Sequence, residues 1–157
     1  ATCFHDGRLR VRLSGAFPAV AAAAAKIGGS AVADAEAFWG GVRDHTHAFF
    51  AAPTGTARPL WRLSVKSTAP YTDLGGEQLI EWGGALRWLV AGDRTDAQKV
   101  RTWAAAQGGH ATLFRATNKD RQVSHPQGET MVALQRRLKL VFDPHGILNP
   151  GRLYAEF

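Results

Sequence analysis

The chain has 157 residues, 45% of them hydrophobic and 20% charged, and a formal net charge of +6. That length and balance suit one folded domain that buries its apolar surface without disulfides or a metal. They exclude a transmembrane segment, because the longest apolar run, Ala19 to Ala25, is short and nearly all alanine, and the single cysteine, Cys3, excludes an internal disulfide.

The opening residues, Ala-Thr-Cys-Phe-His-Asp-Gly, carry neither the basic region nor the apolar core of a signal peptide, and the absent initiator Met points to a processed or excised piece. Arg8 to Leu13 alternates strictly, with arginines at 8, 10 and 12 opposing Leu9, Val11 and Leu13, which predicts a half-buried strand. Pro18 opens a helix through the alanine run to Lys26, stopped by Gly28-Gly29. A second helix is expected from Asp34 to Phe50, with Asp34 as its cap and Phe38, Val42, Thr46 and Phe49 at helical spacing. Pro53 to Pro59 reads as a loop.

Trp61, Leu63 and Val65 alternate with Arg62, Ser64 and Lys66 as a second amphipathic strand. A longer strand is expected from Gln78 to Val90, with Ile80, Trp82, Leu86, Trp88 and Val90 on its apolar side and Glu81 and Arg87 on the other. Gly83-Gly84 inside it suggests a bulge or a close approach by a ligand or backbone. Thr95 caps a helix to Gln107, His110 to Ala116 is a further strand, and a polar loop leads to a helix from Glu129 to Val141. That last helix lines up Met131, Leu134, Leu138 and Val141 on one face. The pattern predicts an α+β fold, an antiparallel sheet with helices on one face in a ferredoxin-like arrangement.

If helices cover one face, the other collects Arg8, Arg10, Arg12, Arg62, Lys66, Glu81 and Arg87. Such a cationic face is either simply solvated or covers an anionic ligand or another domain. The tryptophans at 61, 82, 88 and 103 fall on apolar parity and are expected in the core. His45 and His47 cannot face one metal from a helix, and the other histidines lack partners at ligand spacing, so no metal site is expected. The glycine doublets form neither a dinucleotide fingerprint nor a P-loop. Inward aromatics and outward arginines invert a base-stacking platform, so no nucleic-acid partner is expected.

The stretch Phe142-Asp143-Pro144-His145-Gly146-Ile147-Leu148-Asn149-Pro150-Gly151-Arg152 packs two prolines and two glycines around a short apolar pair. It resembles the closing motif of FAD-linked oxidases of the vanillyl-alcohol-oxidase type. Glu81-Trp82-Gly83-Gly84-Ala85-Leu86-Arg87-Trp88, Ala37-Phe38-Trp39 and Val42-Arg43-Asp44-His45 narrow the likeness to the FAD-binding subunits of bacterial glycolate oxidases. The resemblance implies a single C-terminal cap domain over residues 1–157, with the N-terminal FAD-binding domain absent from this chain. It implies FAD in the full-length protein, not retained by this fragment, and an oxidoreductase acting on glycolate or another 2-hydroxy acid. The isolated piece would be inactive.

On that footing Arg62, Lys66 and Arg87 would bind the substrate carboxylate, since guanidinium forks suit carboxylates. Asn149, Gly151 and Arg152 would lie at the junction with the flavin. The implied partners are the flavin domain and other oxidase subunits, including an iron–sulfur subunit, and the implied location is the cytoplasm, with membrane association through those subunits. The competing reading is a non-catalytic module whose basic sheet face assembles the oxidase complex.

Overall fold

The computed structural model describes residues 1–51, 58–117 and 123–154, so most of the expected loop from Pro53 to Pro59 lies outside the described residues. The first elements form a hairpin, β1 (Thr2–His5) and β2 (Arg8–Val11). Asp6 and Gly7 turn it with φ of 52° and 66°, the left-handed pair that a two-residue hairpin loop demands. The helix α1 (Phe17–Ile27) follows as expected, with Pro at its start and Gly28 at φ 73° ending it.

The single helix expected from Asp34 to Phe50 is instead α2 (Ala35–Arg43) followed by a separate 3-10 turn, Ala48–Phe50. The chain breaks where His45 enters the left-handed region at φ 57° and where Thr46 and His47 both donate to the Gly41 carbonyl. A Cβ on Gly41 would lie 3.2 Å from the His47 nitrogen, so the reversal packs tightly against α2.

Beyond β3 (Leu60–Ser64), the long strand expected from Gln78 to Val90 proves to be two, β4 (Gly76–Glu81) and β5 (Leu86–Ala91). They pair antiparallel, with Glu81 opposite Leu86, around a tight turn at Trp82–Gly84. The glycine doublet makes that turn rather than a bulge. Then come α3 (Ala97–Ala106), β6 (His110–Arg115) and α4 (Glu129–Phe142). Asp96, rather than Thr95, caps α3 by accepting from the Lys99 amide at 2.9 Å, while the Thr95 hydroxyl donates to the Gly75 carbonyl. Gly109 between α3 and β6 admits no side chain, because a Cβ there would stand 1.9 Å from the Ser64 carbonyl oxygen.

The six strands form one antiparallel sheet in the order β2-β1-β4-β5-β3-β6. The α+β class therefore holds. Strands β3 to β6 keep the strand order of a ferredoxin-like unit, with residues 65–75 replacing the first crossover helix.

Directly paired residues share a face, and the register places core on both sides of the sheet. Trp61, Leu63, Leu89, Ala111 and Leu113 pack with Val100 and Ala104 of α3. On the opposite side Cys3, Leu60, Leu79, Leu86 and Trp88 pack with Val42, Phe49 and Phe50. The helical cover is thus divided between the faces, and β5 is buried along its whole length. By contrast α1 and α4 bury no residue, and the α4 stripe Met131, Leu134, Leu138 and Val141 is 48–74% exposed. Among the described residues no helix is long and apolar enough to cross a membrane.

Candidate functional site: an arginine-rimmed groove

On the α2 side of the sheet lies a broad groove of about 2280 Å³. One wall is β2, whose Arg8 and Arg10 stand opposite His5 and Cys3 of β1 and so share the groove face. The other wall is the segment from the end of α1 into α2, ending on Arg43 and His45. Arg62 of β3 and Trp88 of β5 are directly opposed across the strands and lie on the floor. Five arginines line the cavity, Arg8, Arg10, Arg12, Arg43 and Arg62, against two carboxylates, Glu36 and Glu81. Glu81 is already engaged, accepting from the Trp88 indole N–H at 2.8 Å, and Asp44 outside the lining holds Arg43 through two short bonds. The field inside the groove is therefore positive, as an anionic ligand requires.

Part of its lining is aromatic. The His45 ring stacks on Phe50 at 4.4 Å between centroids and meets Trp88 edge-on at 4.6 Å, with Phe114 closing against Trp88 at 5.1 Å. Phe38 sits under the Arg10 guanidinium, 4.6 Å from ring centroid to carbon. His47 faces away from His45 and accepts the Phe49 amide on Nδ1, and burial, with His5 and Arg10 nearby, lowers its pKa. That bond needs the neutral ring, so geometry and titration agree.

Of the three residues expected to hold a carboxylate together, the structure places only Arg62 in the groove. Lys66 is exposed beyond the end of β3, beside Gly108. Arg87 lies on the opposite face of the sheet, 3% exposed. Its guanidinium donates to the carbonyls of Gly84, Pro70 and Ala69 and lies over the Trp103 ring at 5.1 Å. Burial lowers its pKa. The expectation of a shared outward face fails because the four-residue turn after Glu81 reverses the parity of everything that follows.

The tryptophans divide similarly. Trp61 and Trp88 are core at 4% and 3% exposure, and Trp103 packs against the α3-side core. Trp82 is 68% exposed at the groove's edge. Its neighbouring Gly83-Gly84 was the available signal, since a bulky residue before two glycines sits at a hairpin tip.

Asn149, Gly151 and Arg152 lie in the closing segment, apart from the groove lining. Asn149 and Gly151 take left-handed φ of 47° and 67°. The segment is locked from within by Asp143, which is buried and accepts from the Ile147 and Leu148 amides at 3.0 and 2.9 Å and from Lys139 Nζ at 2.8 Å. Lys139 also donates to the Leu148 carbonyl. The Lys139 bond, foremost, and the two amides hold the Asp143 carboxyl below the ordinary carboxylate range. Ile147, Leu148 and Leu153 remain 56–74% exposed, so the lock fixes an apolar surface without covering it.

Residues 116–153, which include this closing segment, match the family described as FAD linked oxidases, C-terminal domain. The chain is 42% identical over 154 residues, 98% of its own length, to the glycolate oxidase subunit GlcE of Escherichia coli (strain K12). The kinship expected from the closing motif and from the Glu81–Trp88 stretch is thereby borne out. The chain spans 41% of that relative's length. No solved structure matches it.

Proposed function

We propose that this chain is the cap domain of an FAD-dependent subunit that oxidises glycolate or a related 2-hydroxy acid, with the groove face laid over the flavin ring. The observation that carries the reading is the groove itself: a positive concavity with Arg62 on its floor, on a chain kin to FAD linked oxidases. The fit is partial in an informative way. The chain offers a cationic cavity with aromatic lining but no phosphate loop, so it suits the ring and substrate end of FAD while a further domain holds the pyrophosphate.

The flavin, when bound, supplies the redox chemistry. This chain's residues bind and orient. Arg62 receives the substrate carboxylate through a charge-assisted fork, and Arg8 and Arg10 keep the cavity's potential positive. The aromatic floor of Trp88, Phe114 and His45 excludes water from that contact. The exposed closing segment, with Asn149, Gly151 and Arg152, faces the flavin domain. Lys66 stands outside the groove and Arg87 supports the sheet, so the proposed carboxylate contact rests on Arg62. The holoenzyme works in the cytoplasm and joins an iron–sulfur subunit and the membrane through its partners.

A second reading is favoured by the uncovered apolar surface of α4 and the closing segment: a module that assembles an oxidase complex without touching substrate. Two measurements separate them. The chain expressed alone is expected to be colourless and free of flavin, and a yellow product contradicts the cap. In the full-length protein, Arg62→Glu is expected to raise KM for the hydroxy acid with subunit assembly intact. Lost assembly with unchanged substrate binding favours the module.

A further inference from the structure

Backbone strain is concentrated at the groove. Four non-glycine residues among those described have positive φ: Asp6, His45, Trp82 and Asn149. Asp6 and Asn149 are residue types that tolerate the left-handed region and serve turns. The other two, His45 and Trp82, both line the groove. For a tryptophan the conformation, φ 53° here, is a genuine outlier, and such outliers persist where the surroundings enforce them, often at ligand sites.

The surroundings do enforce it. Next to Trp82 the Gly83 amide donates to the Thr2 hydroxyl at 3.0 Å, tying the turn to β1. Gly84, at φ 99°, backs so closely onto Ser67 that a Cβ would stand 2.5 Å from the Ser67 carbonyl oxygen. The Ala85 amide returns to the Trp82 carbonyl at 3.2 Å. The turn is therefore braced on both sides, and the one unbraced part is the indole. That side chain makes no hydrogen bond and no ring contact among the described residues and is 68% exposed. A residue chosen for the turn alone would be Asn or Gly.

We infer that Trp82 is a ligand-contacting residue of the groove, held in a strained turn so that its indole stacks on a planar conjugated ring. The occupant that fits is the flavin ring rather than the hydroxy acid, because a small aliphatic carboxylate offers an indole no face to stack on. This rests on the cap reading given above. It adds a named contact that the sheet arginines do not supply.

The test uses the full-length polypeptide that carries this chain, with FAD as the probe, and compares wild type with Trp82→Asn and Trp82→Phe. Asn accepts the left-handed turn, so its Tm is expected to equal or exceed that of wild type. FAD affinity is expected to fall about tenfold, in line with one lost stacking contact, and flavin emission, quenched by a stacked indole, to rise. Phe keeps an aromatic face and is expected to recover most of the affinity. Unchanged FAD affinity and emission in Trp82→Asn, with wild type holding FAD, overturns this inference alone. A Tm several degrees below wild type, with affinity unchanged, also overturns it by making Trp82 structural. A wild-type protein that holds no FAD overturns the cap reading and this contact together.

Discussion

Replacing Arg87 by alanine removes a guanidinium that ties β5 to two stretches of loop. Its three carbonyl partners, on Ala69, Pro70 and Gly84, lose their donor, and each such bond contributes about 1 kcal/mol net, more when the donor is charged. The face-on contact with Trp103 adds about 1 kcal/mol. The expected loss is about 4 kcal/mol, a large share of the stability of a domain this size. At this length that corresponds to a Tm lower by about 10 °C. Thermal and urea denaturation followed by circular dichroism measure it. Arg87→Lys should recover only part, since one ammonium cannot span three divergent carbonyls. An Arg87→Ala chain that melts within about 2 °C of wild type refutes the assignment. So does one that folds normally in the full-length protein but loses hydroxy-acid binding, which would return Arg87 to the substrate side.

Three further outcomes are expected. Asp143→Asn should leave the sheet intact and speed amide hydrogen exchange at Ile147 and Leu148, read by NMR, because both amides lose a carboxylate acceptor. Since Lys139 and those amides hold the Asp143 pKa below its unfolded value, its contribution is present above about pH 4 and lost as pH falls through the folded value, so the same amides should deprotect in acid. Burial, with Glu81 adding to it, pushes the Cys3 thiol up to about 11. A disulfide-exchange reagent at pH 8 should therefore label the native chain about a hundredfold more slowly than the denatured one, and labelling at equal rates would contradict the buried β1.

Elements with one continuous period were readable: β3, β6, α1, α3 and α4 fall where alternation or helical spacing put them. The misreadings share one cause, a reversal too short to interrupt the pattern. Across Trp82–Ala85 the apolar residues Ile80, Leu86, Trp88 and Val90 keep even numbers, yet pairing Glu81 with Leu86 sends Ile80 to one face and the later three to the other. That single flip moved Arg87 away from Arg62. At His45 the helical spacing likewise runs on through Thr46 and Phe49 while the backbone turns. In the candidate site Arg62 and the β2 arginines were visible as outward parity. His45 was not, because its place depends on positive φ at a residue whose type does not announce it, and Trp82 was signalled only by the two glycines that follow it. The first strand was missed despite the Asp6-Gly7 turn, since four residues hold too few alternations to register.

The hairpin that walls the groove is joined to the rest of the sheet by a short seam, Cys3 opposite Glu81 and Phe4 opposite Ile80. Those partners are far apart in sequence, whereas β3, β4 and β5 pair through much shorter loops. Long closure makes such a seam late to form and early to open. Local opening is thus expected to release β1 and β2 as a unit while β5 stays buried on both sides. One wall of the groove therefore belongs to the part of the sheet held by its shortest seam, so that widening the groove and loosening Cys3 from the core would be a single event.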